Sequence, residues 1–379
     1  MIIAVDRNIP LASSAFGPLG RLRLLETTAV TPDNIRDAHA LVIRSETRVG
    51  PPLLEGSAVR FVGSATIGTD HVNLEYLASK GITFANAPGS NANSVKEYVL
   101  SALLTIACRD GNTLRGKSLG VVGVGNVGSR VAAMGRALGM TVLENDPPRA
   151  RAEGGGEFLP LDELMEADIV TLHVPLTRSG IDATYHLFDA RRLAAMKPRS
   201  VLLNSARGAV VDTGALGESL RTGHIASAVL DVWEGEPSID LPLLALVSLG
   251  TPHIAGYSID GKVNAAAQVR AALCRFLGNR SAWDPGPEIP PPATPSVSVP
   301  GSAEPEEGLA QAVRSAYDIG HDDRLLRGLS GVPPGERARY FMGLRTGYRV
   351  RREFGSMKIT GAPENAVLRR LLTDAGFRL

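Results

Sequence analysis

The sequence has few of the residues that cross-link a chain or bind a metal. Its 379 residues hold two cysteines, Cys108 and Cys274, both in apolar, helix-like surroundings. This predicts buried thiols in a reducing compartment, and it argues against a disulfide framework. The histidines show no HxxxH spacing and there is no CxxC, so no metal is expected. Neither sign of charge is in excess: 40 Lys and Arg against 39 Asp and Glu leave +1. That balance gives no footprint for nucleic acid or for an anionic membrane. No apolar run approaches membrane-spanning length, and MIIAVDRNIP at the start lacks a basic region and a cleavage site. The expectation is a soluble cytoplasmic protein. There is no GxSxG elbow and no GxxxxGK[ST] phosphate loop, which sets aside two common α/β chemistries.

What is present centres on residues 116–146. The apolar run Leu119 to Val122 breaks into Gly123-Val124-Gly125-Asn126-Val127-Gly128. A helix-compatible stretch follows to Leu138, then a second apolar run from Met140 to Leu143, and an acid, Asp146. Strand, glycine turn, helix, strand is the unit that binds a dinucleotide. Gly123 permits the tight turn, Gly125 leaves room for a pyrophosphate, and Gly128 lets helix and strand pack closely. The pyrophosphate would sit at the helix N-terminus. Asp146 is placed to bond a ribose 2′-OH and would repel a 2′-phosphate, which favours NAD over NADP. Arg149 and Arg151 weaken that preference.

Before this unit, short apolar runs at 2–5, 40–43, 59–63 and 81–85 read as strands of a first α/β domain. Arg44, Ser45, Thr66 and Gly68 fall at strand ends, where open α/β sheets gather ligands. Arg44 suits a phosphate or carboxylate; turn chemistry and helix capping account for these residues equally well. Residues 91–109 read as a long helix crossing to a second domain. Beyond the glycine turn, strands at 169–174, 200–204 and 226–232 alternate with helices at 187–196 and 213–221, which predicts a parallel sheet covered on both faces.

Three ionisable residues stand out after strands: Arg207, Glu236 and His253. Oxidising an alcohol requires a base, an anion receptor and a hydride acceptor. Histidine suits the first role and arginine the second; a carboxylate beside the histidine would orient it. Singly, each residue has an ordinary structural explanation: a core histidine, a solvated loop acid, a surface ion pair.

The ordered set GVGNVG (123–128), Asp146, NSARGAVVD (204–212), LDVWEGEP (230–237) and HIAGY (253–257) resembles the D-isomer-specific 2-hydroxyacid dehydrogenases over roughly residues 1–280. The resemblance implies two doubly wound α/β domains, a substrate-binding one (1–92 with 257–285) and a Rossmann NAD-binding one (93–256). Arg207 would anchor the substrate, Glu236 would pair with the histidine, and His253 would accept the proton. The runs FVGSATIGTDHV (61–72) and HIAGYSIDGK (253–262) are similar to a branch of the family acting on a small phosphorylated 2-hydroxy acid. That similarity implies substrate contacts from Ser45, Thr66 and Tyr257. It implies NAD contacts from Asn126, Val127, Asp146, Thr171, Asp231 and Gly256. Two other readings stay open: a dehydrogenase for another acid such as 3-phosphoglycerate, and a non-enzymatic NAD-sensing protein.

Residues 286–305 form a Pro-rich linker, read as semi-rigid and extended. Residues 306–379 would be a small α/β domain with helices at 309–318 and 365–375 and a strand within 349–360. The resemblance implies that it dimerises, giving a homodimer. Arg345, Arg349, Arg351 and Arg352 form a basic cluster that either reaches the substrate phosphate of a neighbouring subunit or is a solvated face.

Overall fold

The computed structural model describes residues 1–154, 158–300, 304–361 and 365–379. Residues 155–157 of the glycine-rich run after Asp146 and 301–303 of the linker therefore lie outside the described residues. The chain forms two compact units. One joins residues 1–92 to 257–291; the other joins 93–256 to 292–379.

The first unit is built on a parallel sheet of five strands: β1 (Ile2–Asp6), β2 (Arg21–Leu25), β3 (Ala40–Ile43), β4 (Phe61–Ser64) and β5 (Thr83–Ala85). They run in the order β2-β1-β3-β4-β5. Successive strand residues point to opposite faces. Ile3, Val5, Ala40, Val42 and Phe61 therefore enter one apolar cluster, and Ala4, Leu41, Ile43 and Val62 another. The returning helix Ile259–Leu277 closes the first face with Ala266, Val269 and Leu273. Strand β2, RLRLL, is an edge with its first arginine exposed. Charge at such an edge discourages pairing with another chain, and it also hides the strand from a hydrophobic reading.

The second unit has six parallel strands: β6 (Ser118–Val122), β7 (Thr141–Asn145), β8 (Ile169–Leu172), β9 (Val201–Asn204), β10 (Ser227–Leu230) and β11 (Leu249–Gly250). Their order is β11-β10-β9-β8-β6-β7, so the winding reverses between β6 and β8. A crevice opens at the carboxyl ends of strands at such a reversal, and ligands collect there. The glycine turn follows β6 and His173 follows β8, one on each side of it. Among the described residues, no helix is long and apolar enough to cross a membrane.

Two expectations change. Cys108 is exposed, not buried, because it lies in the final turn of the helix Ala92–Arg109, beside exposed Arg109 and Asp110; Cys274 is buried. The Pro-rich linker contains a short strand, β12 (Ser296–Ser298), paired in parallel with β13 (Lys358–Thr360). The strand expected within 349–360 is β13, the earlier part of that segment being held by side-chain bonds described below. The C-terminal helices Pro305–Ala316 and Ala366–Ala375 form as expected. Leu326, Leu329 and Phe341 from this segment lie in the same buried cluster as Val170, Leu172, Leu202, Leu230, Trp233 and Leu243. The tail thus completes the core beside the six-stranded sheet.

Candidate active site

The glycine turn meets the geometric demands of a dinucleotide. Gly123 has φ +85, and a Cβ there would lie 2.9 Å from the carbonyl of His173. A Cβ on Gly128 would lie 1.9 Å from the Gly123 oxygen, so only glycine lets the helix Gly128–Ala137 start this close. At Gly125 an added Cβ meets nothing within 4 Å, which is the open space a pyrophosphate needs. Asn126 is exposed and Val127 half-buried on the same turn.

Asp146 closes the turn from below. Its Oδ2 accepts from Val124 N at 2.8 Å, and its Oδ1 caps the next helix through Arg149 N at 3.1 Å. A carboxylate has about four acceptor positions, so capacity remains for a ribose hydroxyl. The two arginines that weaken the NAD preference already have partners within the chain. Arg149 bonds Val124 O and Glu153, and Arg151 pairs with Asp182. Thr171, inside β8, holds His173 Nε2 at 3.0 Å. Burial pushes the His173 imidazole down to about 3, so that ring is neutral.

The expected acid–histidine pair is present. Glu236 Oε2 lies 2.8 Å from His253 Nδ1, and Glu236 Oε1 accepts from Trp233 N at 2.8 Å. Burial acts to raise the Glu236 carboxyl, but His253, the Trp233 N–H and Arg345 together hold it below its ordinary value. Arg207, past the end of β9, is the N-cap residue of the helical turn Gly208–Val210, and its Nη1 donates to Ala206 O at 2.8 Å. The Arg207 loop abuts the Glu236 loop directly. A Cβ on Gly208 would fall 1.9 Å from the Trp233 carbonyl carbon and 2.3 Å from Glu234 N.

His253 itself has φ +59, a left-handed backbone that non-glycine residues seldom adopt. Asp231, at the end of β10, imposes it. Its Oδ1 accepts from Thr251 Oγ1 at 2.6 Å and Ile254 N at 2.8 Å, its Oδ2 accepts from Ala255 N at 2.9 Å, and its own carbonyl accepts from His253 N at 2.7 Å. Tyr98 and Trp233 reach the same turn through Thr251. Asp231 is therefore the anchor of the histidine turn, a role its place in LDVWEGEP does not reveal. Gly256 follows that turn, half-buried.

In the first unit, Arg44 and Ser45 follow β3, and Thr66 follows β4. These strands are paired with Ile43 opposite Ser64, so the three residues share one sheet edge. Arg44 pairs with Glu46 at 3.0 Å; Ser64 Oγ bonds Thr66 Oγ1 at 2.7 Å and His71 Nε2 at 3.0 Å. Tyr257 lies under Lys262, 4.3 Å from ring centroid to Nζ.

Of the tail arginines, Arg351 is buried, Arg345 and Arg352 are half-buried and Arg349 is exposed. Arg349 pairs with buried Asp322, and Arg351 is buried against Tyr317 with its guanidinium on backbone carbonyls. Two of the four are thereby tied within their own subunit and are not free to reach a neighbour's substrate. Among the described residues no cluster of three or more metal-binding side chains occurs.

Comparison with known proteins agrees with this geometry. Residues 97–255 match the family model "D-isomer specific 2-hydroxyacid dehydrogenase, NAD binding domain", and 289–376 match a domain of unknown function (DUF3410). The erythronate-4-phosphate dehydrogenase of Salinibacter ruber is 46% identical, over 98% of this chain and 97% of its own. That of Pseudomonas fluorescens is 44% identical over the full length of both. Among solved structures, D-lactate dehydrogenase from Aquifex aeolicus, complexed with NAD and lactic acid, superposes with a TM-score of 0.61. It is 26% identical and covers 73% of this chain and 96% of its own. The chain accordingly belongs to the D-isomer-specific 2-hydroxyacid dehydrogenases and, within them, to the erythronate-4-phosphate dehydrogenase family.

Proposed function

We propose that this chain oxidises 4-phospho-D-erythronate at C2 with NAD, giving 2-oxo-3-hydroxy-4-phosphobutanoate on the route to pyridoxal 5′-phosphate. One observation carries the reading. A chain 46% identical over nearly its whole length to a dehydrogenase named for that substrate holds Glu236 Oε2 2.8 Å from His253 Nδ1. With Nδ1–H donated to the carboxylate, Nε2 is the basic nitrogen. It takes the C2 hydroxyl proton while the hydride leaves C2, and Glu236 stabilises the imidazolium that forms. NAD, when bound, supplies the acceptor for that hydride. Arg207 holds the substrate carboxylate and the C2 oxygen through its forked donors. Asp231 keeps the histidine turn in place. The pyrophosphate belongs on Gly123 to Gly128 and the ribose on Asp146. Thr171, Gly256 and the carbonyl edge of Asp231 line the nicotinamide side. Arg44, Ser45, Thr66 and Tyr257 are assigned to the substrate.

The same reading places the enzyme in the cytoplasm as a homodimer joined through residues 306–379. Light scattering at assay concentration tests the dimer. The activity is tested by NADH formation from purified protein with 4-phospho-D-erythronate and, in parallel, 3-phosphoglycerate. Turnover of the second acid alone would move the substrate assignment. Turnover of no 2-hydroxy acid would favour an NAD sensor.

A further inference from the structure

Arg351 is 4% exposed, and its guanidinium spans two distant pieces of backbone. Nη2 donates to Ala255 O at 2.6 Å and to Ser94 O at 3.3 Å, and the guanidinium carbon lies 4.4 Å from the Tyr317 ring centroid. Its neighbours lock the same place. Glu353 accepts from Ser94 Oγ at 2.7 Å and Asn93 Nδ2 at 2.8 Å, and Glu97 accepts from Phe354 N at 2.9 Å. Yet Arg351 Nε and Nη1 are buried with no hydrogen-bond partner among the described residues, as is Glu97 Oε2. A buried charge with unmet donors is a poor way to gain stability, since apolar side chains of similar volume commonly serve as well or better.

The position of Ala255 explains what the arginine does. Ala255 is two residues beyond His253, and its N–H is already held by Asp231 Oδ2 at 2.9 Å. Arg351 takes its carbonyl. The residue is thus gripped from both sides, by an acid from β10 and by a base from the C-terminal segment. A left-handed, non-glycine backbone such as that of His253 is strained and persists only where its surroundings over-determine it. We infer that Arg351 is a positioning residue for catalysis: by holding the Ala255 carbonyl, the C-terminal segment fixes the His253 turn in the geometry that proton transfer needs. This rests on the dehydrogenase reading above.

The test compares Arg351→Met and Arg351→Lys in the full-length enzyme. The Met variant should lose about ten- to a hundredfold in kcat, the scale of a small misplacement of a reacting group, while its affinity for NADH, read by fluorescence, stays unchanged. The kinetic isotope effect from deuterium at C2 of the substrate should rise, because the chemical step becomes more limiting. Lysine, which can still donate to one carbonyl, should recover part of kcat. Amide exchange across 251–257 should quicken in the Met variant and not elsewhere in the core. The inference is overturned if the Met variant keeps wild-type kcat and exchange. It is equally overturned if kcat, NADH affinity and thermal midpoint fall together with Lys no better than Met, which is a general loss of fold. If the Met variant does not fold, the Lys variant decides: lowered kcat with intact NADH affinity supports the clamp, and unaltered kcat removes it. A wild-type enzyme inactive on 4-phospho-D-erythronate would overturn the functional reading alone, and the exchange comparison would still judge the clamp.

Discussion

At His253 the ring and the backbone answer to different partners. Glu236 orients the imidazole, while Asp231 bends the chain that carries it. The two can be separated by substitution. His253→Ala should keep NADH binding and lose about 10²–10⁴-fold in kcat, the usual worth of a positioned acid–base group. Asp231→Asn should lower both activity and stability, since it weakens acceptance from three donors at a buried site; about 1–3 kcal/mol is expected in denaturant titration. A His253→Ala variant unable to bind NADH would contradict this division. The sequence made Glu236 and His253 legible because each stands in a short, distinctive run just past a strand. It hid the anchoring role of Asp231, because acceptance by a buried carboxylate depends on a turn that lies twenty or more positions later. It hid Arg351 more completely: an arginine among arginines looks solvated until Tyr317 and the histidine turn are folded over it.

Elements of the six-stranded sheet are fastened at their starting ends by one acid. Asp168, just before β8, accepts from Ser118 N at 2.8 Å and Ser118 Oγ at 3.0 Å at the head of β6, and pairs with Lys197 at 2.8 Å. Burial alone would raise its carboxyl; these partners outweigh burial and hold it at about 2. Its folded value lies below the unfolded one, so the stabilisation is complete above about pH 4 and is lost as pH falls through about 2. Asp168→Asn should therefore cost on the order of 1 kcal/mol at neutral pH, solvent screening reducing the pair's worth, and its deficit in urea titrations should narrow as pH drops below about 4. A deficit that stays constant down the acid range would argue against ionic fastening. The buried strands of this sheet could be read from their apolar runs. The edge strand β2 and the linker strand β12 could not, the first because arginines alternate along it, the second because prolines surround it and its partner lies at 358–360.

For the whole molecule, residues beyond 291 are part of the nucleotide-binding unit and not a detached appendage. Leu326, Leu329 and Phe341 complete its buried cluster, and each such side chain is worth about 1.5–3 kcal/mol when fully buried. A chain ending at residue 291 should consequently be recovered in inclusion bodies or bind a hydrophobic dye strongly; a soluble, cooperatively melting product would refute this. The clamp also has a consequence in time. Ala255 and Arg351 are 96 positions apart. At about 5–20 residues per second, a ribosome needs roughly 5–20 s to travel from one to the other. For that interval the nascent polypeptide carries the histidine turn but lacks both the arginine that steadies it and the tail that completes its core, so on the clamp reading a new copy gains its base's final geometry only when translation is nearly over.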